Sequence, residues 1–279
     1  MKKWSLALLV ILFVCGVATA ETKWVPFHYF NNSGGLNDGF SDTSIADNEA
    51  SDLQNAIFSV GGDIKKRQGF SRINPNSIIS GAVTGISFYK QSDGDRFLVG
   101  VFDNQILAKM DYSAGSPDGI FDMLSQFPND ITQNDLADFA VGEDILIIED
   151  GIGTTPPRTY NGSTVGFMSG APNATMVAYH KLHAFAAGDS ENPSRLYASN
   201  LGAINTWTAA DTIDVETNDG SIIRDIEPGL DALYIWKDKS IWRLSGTDKD
   251  NFILERMVEG IGTLSRRSVA SIENKFLFV

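Results

Sequence analysis

The sequence predicts an all-β protein, a β-propeller with a blade period of about 45 residues, preceded by an extended arm. Three observations point that way. Short apolar, β-branched or aromatic runs recur after residue 80, separated by clusters of Gly, Asn, Asp and Ser. The runs return at a near-regular spacing, the signature of a repeat architecture. Long amphipathic helix patterns are almost absent. The best helical candidate is "DNEASDLQNAIFSV" (47–60), and its apolar Leu53, Ile57 and Phe58 form only a thin stripe.

The buried strand of each unit anchors the repeat. "FLVGV", "ILII", "LHAF", "LYIW" and "FLFV" begin at residues 97, 145, 182, 233 and 276, with gaps of 48, 37, 51 and 43. A strand-like lead-in precedes each: "TGISFY", "LADFAV", "ATMVAY", "IIRDIE" and "SVASIE". After four of them comes a turn and a second stretch: "ILAKMD" (106–111), "RTYNG" (158–162), "RLYASNLG" (195–202) and "IWRLSG" (241–246). Turns are marked by "SDGD" (92–95), "DNQ" (103–105), "YNGS" (160–163) and "NDGS" (218–221), where Gly and Asn tolerate positive φ. The expected unit is therefore strand, tight turn, buried strand, turn, aromatic strand and a looser outer stretch. Blades cover each other's faces, so continuous apolar runs belong in their middle strands. A β-sandwich with accidental spacing is the competing reading. Residues 80–279 are expected to hold four blades and part of a fifth. The run "SIENKFLFV" stops inside the fifth buried strand, which reads as a fragment or as a ring closed by a partner.

Residues 1–20 have a different character. "MKKW" is basic, "LALLVILFVCGV" is an apolar run of 12 residues, and Ala18 to Ala20 offer the small residues of a cleavage site. This is the pattern of a secretory signal peptide, too short for a membrane span. Phe13 and Val14 are bulky where a lipoprotein signal ahead of Cys15 would want small residues. Cleavage after Ala20 removes two lysines and takes the formal charge from −13 to −15. So acidic a chain is ill suited to tight nucleic-acid binding, which rests on Lys and Arg neutralising phosphates. It suits a surface past which DNA slides without sticking. Cys15 is the single cysteine, so the mature chain holds no disulfide and no thiolate metal site. Residues 21–79 form the arm, with a Gly-Gly pair near each end and a basic run, Lys65, Lys66 and Arg67, at its close.

Catalytic signals are missing, and no enzyme, cofactor or metal site is expected. The three histidines are His28, His180 and His183. The odd spacing of His180 and His183 places them on opposite faces if they share one strand, so they are read as structural. There is no zinc-protease, phosphate-loop or nucleophile-elbow motif. The closely spaced Asp residues of "TDKDN" (247–251) and "SDGD" read as turns, because neither has the pattern of a calcium loop. Glu149 and Asp150 could line a propeller face as a carboxylate pair, though a turn at "DG" explains Asp150 more simply. "SNLGAINTW" (199–207) lacks the Asp of the sialidase repeat turn. Arg158, Arg195, Arg224 and Arg243 recur near blade strands and are expected to be structural. Asn31, Asn161 and Asn173 are glycosylation sequons that matter only in a eukaryotic secretory route.

Two stretches carry a resemblance to a known class. From Gly34 to Phe70 the chain runs Gly-Gly, a variable polar stretch, an Asn, then Gly-x-x-x-x-Arg-x-Gly, matched by Gly34, Gly35, Asn55, Gly62, Arg67 and Gly69. Gln68 stands in "KRQG" where a proline is usual. The second stretch is "SRLYASNLGAINTW" (194–207) with "IEPGLDALYIWKDKSIWRLSG" (226–246). Together they resemble tail-tube, nozzle-type and head-to-tail stabilisation proteins of short-tailed phages. The resemblance implies a non-enzymatic structural subunit of a phage tail or neck, forming a ring around the DNA channel. Its implied partners are other copies of itself, neighbouring virion proteins and DNA in transient passage without sequence-specific binding. It places the chain in the virion, whereas the signal peptide points to a secreted or periplasmic protein, free of the membrane once the signal is removed. A periplasmic or secreted propeller binding a glycan or peptide is the first alternative. A secreted carbohydrate-active enzyme is the second.

Overall fold

The computed structural model describes residues 33–41, 44–52, 54–58, 63–69, 79, 81–128, 131–132, 134–272 and 275–278. The expected leader (1–20), Cys15, His28, Asn31 and Gly62 lie outside them. The chain divides into two compact units, residues 1–71 and 72–279. Among the described residues every regular element is a strand, and no helix is long and apolar enough to cross a membrane.

The first unit holds two small strand pairs. β1 (Gly35–Leu36) pairs in parallel with β2 (Glu49–Ala50), and β3 (Ala56–Phe58) pairs antiparallel with β4 (Ile64–Lys66). The described residues of the helical candidate at 47–60 form no helix and include β2 and β3; Leu53 and residues 59–60 lie outside the described residues. Leu53, Ile57 and Phe58 are too few to give a helix a stripe worth burying, and Asn55 adopts φ of 53°, which a right-handed helix excludes.

The second unit repeats one motif. The first sheet comprises β5 (Val83–Lys90), β6 (Arg96–Phe102), β7 (Ile106–Asp111) and β8 (Asp122–Gln126). The second comprises β9 (Asp138–Gly142), β10 (Ile145–Glu149), β11 (Arg158–Tyr160) and β12 (Val165–Phe167). The third comprises β13 (Met176–His180), β14 (His183–Ala187), β15 (Arg195–Asn200) and β16 (Ala203–Asp214). The fourth comprises β17 (Ile223–Pro228), β18 (Leu233–Lys237), β19 (Ser240–Ser245) and β20 (Ile253–Glu259). A hairpin follows, β21 (Val269–Ile272) with β22 (Lys275–Phe278). Each four-stranded sheet is an antiparallel meander in chain order. First strands of successive sheets are neighbours: β5 and β9, β9 and β13, β13 and β17, β17 and β21. This is a propeller-like, all-β arrangement. The five apolar anchors fall in β6, β10, β14, β18 and β22, the second strand of each sheet.

Alternate residues of those second strands feed different cores. Leu146 and Ile148 of β10 join Tyr89, Phe97, Val99 and Leu107 of the first sheet. Ile147 points the other way, to Val177 and Ala184 of the third. Phe185 and Ala187 of β14 then meet Leu233, Ile235 and Leu244 of the fourth sheet, while Trp236 turns to Phe276 of the last hairpin. Tyr89, Phe97 and Tyr160 form a triad with centroids 5.8–6.0 Å apart, two of its three pairs edge-on, a favoured geometry for ring quadrupoles.

The fourth sheet also buries a lysine completely. Lys237 is 0% exposed, and its ammonium donates to Val215 O, Glu216 O and Asp219 Oδ2, each at 2.8 Å. All three of its N–H donors are thereby satisfied. The acceptors sit on a turn where Glu216 and Asn218 hold φ of 46° and 69°. Replacing Lys237 by Met strands the Asp219 carboxylate and both carbonyls. We expect Lys237→Met to lower the unfolding free energy by about 3 kcal/mol in urea denaturation.

Candidate functional site

The residues of the Gly34–Gly69 pattern fall into two groups within the first unit. Gly34 donates its N–H to Asn48 O at 3.1 Å, and a Cβ there would lie 2.5 Å from Glu49 Cγ. Gly35 takes φ of +78°, which β1 could not hold with most other residues. This pair is therefore required by β1 lying against β2. Asn55 and Arg67 close the open end of the β3–β4 hairpin, Arg67 N donating to Asn55 O at 2.8 Å. Gly69 has open space around it, so no steric demand explains it. Leu36, Phe40, Ile57 and Ile64 leave apolar side chains exposed on this unit.

In the second unit, charge converges where the first strands meet. A cavity of about 440 Å³ is lined by Asp138 of β9, Tyr179 of β13, Asp225 and Glu227 of β17, and Arg267 ahead of β21. Asp138 Oδ1 pairs with Arg267 Nη2 at 2.9 Å, and its Oδ2 accepts from Val177 N at 2.8 Å. Asp225 accepts from Ile226 N at 3.0 Å and from Arg267 N at 3.1 Å. Arg266 beside it donates to Leu136 O (2.9 Å), Thr175 O (3.2 Å) and Gly151 O (3.3 Å). The Arg266–Arg267 pair thus ties the last hairpin to the second, third and fourth sheets. Burial pushes the Asp225 carboxyl up to about 6, and the nearby Asp138 charge adds to it. Burial, then the charges of Asp225 and Asp138, push Glu227 up to about 7.

Glu149 and Asp150 do not line an accessible face. Each is 1% exposed. Burial and the neighbouring Asp150 and Asp138 charges hold the Glu149 carboxyl well above its ordinary range. Asp150 accepts from Ile152 N at 2.8 Å and from Thr155 Oγ1 at 3.2 Å, and so closes the turn at Gly151, which takes φ of +84°. The "DG" turn accounts for Asp150.

The histidines correct another expectation. His180 and His183 flank a two-residue turn, Lys181 and Leu182 at φ of 47° and 64°, and stand directly opposite each other on β13 and β14. Directly opposed residues share a face of the sheet. The odd spacing misleads because a hairpin, not a strand, separates them. His183 is nevertheless engaged through both ring nitrogens, with Ser199 O at 2.6 Å and Thr247 O at 3.2 Å. Among the described residues no group of three or more His, Cys, Asp or Glu could hold a metal ion.

The four arginines are tied within their surroundings. Arg195 pairs with Asp214 (2.7 Å), Arg224 with Asp238 (2.6 Å) and Arg243 with Asp231 (2.6 Å). Arg158 lies between the rings of Phe127 and Phe167, at 4.2 and 4.9 Å from their centroids, and donates to Gln126 O.

The chain matches no family model and no curated protein. Among solved structures it is similar to the extracellular domain of a hybrid two-component system from Bacteroides thetaiotaomicron, at 10% identity and a TM-score of 0.45, over 72% of this chain and 31% of that one. It is similar to the SapL1 lectin in complex with α-methyl fucoside, at 8% identity and a TM-score of 0.43, over 71% of this chain and 69% of that one. A prolyl endopeptidase structure aligns at 11% identity and a TM-score of 0.45, over 80% of this chain and 34% of that one. The chain thus spans about a third of the first and third of these proteins.

Two outcomes follow from the Arg-carboxylate cluster. Arg266→Met removes donors from three carbonyls and should lower the unfolding free energy by about 2 kcal/mol in urea. Asp225 and Glu227 have folded pKa values raised above their unfolded ones, so the folded state holds their protons more tightly. Their stabilising contribution is full below the ordinary carboxylate range and is lost as pH rises through about 6 and about 7. Stability should therefore fall between about pH 4.5 and about pH 7.5. Glu227→Gln should flatten that decline, as read from denaturation midpoints across the range.

Proposed function

We propose that this chain is a non-enzymatic structural subunit of a phage tail or neck, its copies joined in a ring around a DNA channel. Its four sheets are read as propeller blades, with β21 and β22 opening a fifth. The observation that carries the reading is the arm. Its Gly34–Gly69 pattern resembles the same segment of short-tailed phage tail and neck proteins. It folds as a unit of two small strand pairs that leave Leu36, Phe40, Ile57 and Ile64 exposed. Short strands with exposed apolar side chains gain stability by adding to a neighbour's sheet.

Charge supports the reading too. A formal net charge of −13 repels passing DNA, and the arginines near the blade strands are held by carboxylates or aromatic rings. The partners on this reading are further copies, adjoining virion proteins and DNA in transit. The site of action is the virion.

The test is assembly. The full chain should run as a closed oligomer in light scattering coupled to gel filtration, and as rings in electron micrographs. Deleting residues 31–70 should give a monomer whose second unit melts at an unchanged temperature. A monomeric full chain, or an oligomer indifferent to the deletion, would sink the proposal.

A further inference from the structure

A pocket of about 520 Å³ opens between the third and fourth sheets, within the size range of small-ligand sites. Its apolar side is built from rings. His183 is fixed between two carbonyls and packs edge-on against Phe252, with centroids 5.4 Å apart, and Phe252 rests on Phe185 at 6.0 Å. Phe252 therefore offers a braced aromatic surface to whatever enters.

The opposite side is polar and equally fixed. Thr208 Oγ1 donates to the Asn200 side-chain oxygen at 2.9 Å, which orients that amide in the pocket wall. Asp211 is 9% exposed and contributes its carboxylate to the wall. Lys249 reaches over it, Nζ to Oδ1 at 3.3 Å, with a side chain 54% exposed. Asp248 and Asp250 stand at the rim on a turn braced by Asn251, whose Oδ1 accepts from Thr247 N at 2.7 Å and Asp248 N at 2.9 Å.

A ligand that suits both sides has an apolar face and an edge of hydroxyls. A sugar ring has this form: its C–H groups lie on an aromatic ring while its hydroxyls meet carboxylates and amides. Three carboxylates against one ammonium disfavour an acidic sugar, since like charges repel across a partly desolvated pocket. We propose that this pocket binds one neutral monosaccharide unit of a glycan. Every residue involved lies in the third and fourth sheets or the turn between β19 and β20. The site is thus independent of the arm and of the assembly reading.

The experiment uses the full chain and a panel of free sugars: glucose, galactose, mannose, fucose and N-acetylglucosamine, with glucuronic acid as the anionic member. Saturation-transfer NMR and calorimetry read the binding. At least one neutral sugar should saturate a single site, with glucuronic acid at least tenfold weaker than that sugar. Asp211→Asn removes the buried carboxylate, and Thr208→Trp obstructs the pocket from an exposed position that leaves the fold intact. Each should weaken binding at least tenfold with the melting temperature unchanged for Thr208→Trp. A panel in which no neutral sugar saturates overturns the proposal. So does binding that survives both variants, or glucuronic acid binding as tightly as the best neutral sugar.

Discussion

Everything in the second unit depends on one constraint: the second strand of each four-stranded sheet is covered on both faces. A strand of this kind cannot alternate apolar and polar residues, because neither side faces water. Successive residues of β10 serve two separate cores, Leu146 and Ile148 one, Ile147 the other. β14 and β18 do the same. A sheet in this array is thus stable only through its neighbours, much as in other repeat architectures. The four sheets are interdependent even though each closes its own hydrogen-bond ladder.

Links beyond apolar packing register the sheets against each other. The turn between β9 and β10 places Glu143 and Asp144 at φ of 51° and 57°, a conformation that favours Gly or Asn. It is held from the first sheet, where Tyr89 Oη donates to Asp144 O and Ser92 N donates to Asp144 Oδ1 at 3.0 Å. The equivalent turn in the third sheet, Lys181–Leu182, is held toward the fourth by Lys181 Nζ donating to Asp231 O. Strain in these first hairpins is offset by bonds that only the assembled array supplies.

This explains what the sequence discloses and what it hides. The anchor runs that open at Phe97, Ile145, Leu182 and Leu233 are legible because double-sided burial of β6, β10, β14 and β18 forces an uninterrupted apolar run; the run at Phe276 is legible by its composition, although β22 is largely exposed. The lead-ins and third strands follow from them by spacing. The relation of His180 to His183 is not legible, because Lys181 and Leu182 carry no turn signal of their own. The weak helical candidate at 47–60 lacks a stripe, and the short strands there are too small to leave a pattern. Asp138, Asp225, Glu227, Arg266 and Arg267 were missed because their grouping is made by contacts across long stretches of chain. A clue did exist: Arg224, Asp225 and Glu227 crowd one otherwise apolar strand, where charges are rare unless paired. The pocket of Asp211 and Phe252 likewise joins segments that share no motif.

Arg266 has a further consequence, in the order of events during synthesis. Its guanidinium reaches Leu136 O across 130 residues of sequence and Thr175 O across 91. Contacts of such range form late, since the intervening loop must be closed before they contribute. On the ribosome, the first sheets can emerge and pair locally, but the Leu136, Gly151 and Thr175 carbonyls cannot be bridged until residue 266 has left the exit tunnel. Until then the Leu136, Gly151 and Thr175 carbonyls wait for a partner that the nascent chain has yet to deliver. The chain therefore carries its own order: the contacts that tie the second, third and fourth sheets to the last described hairpin form only once that hairpin has been made.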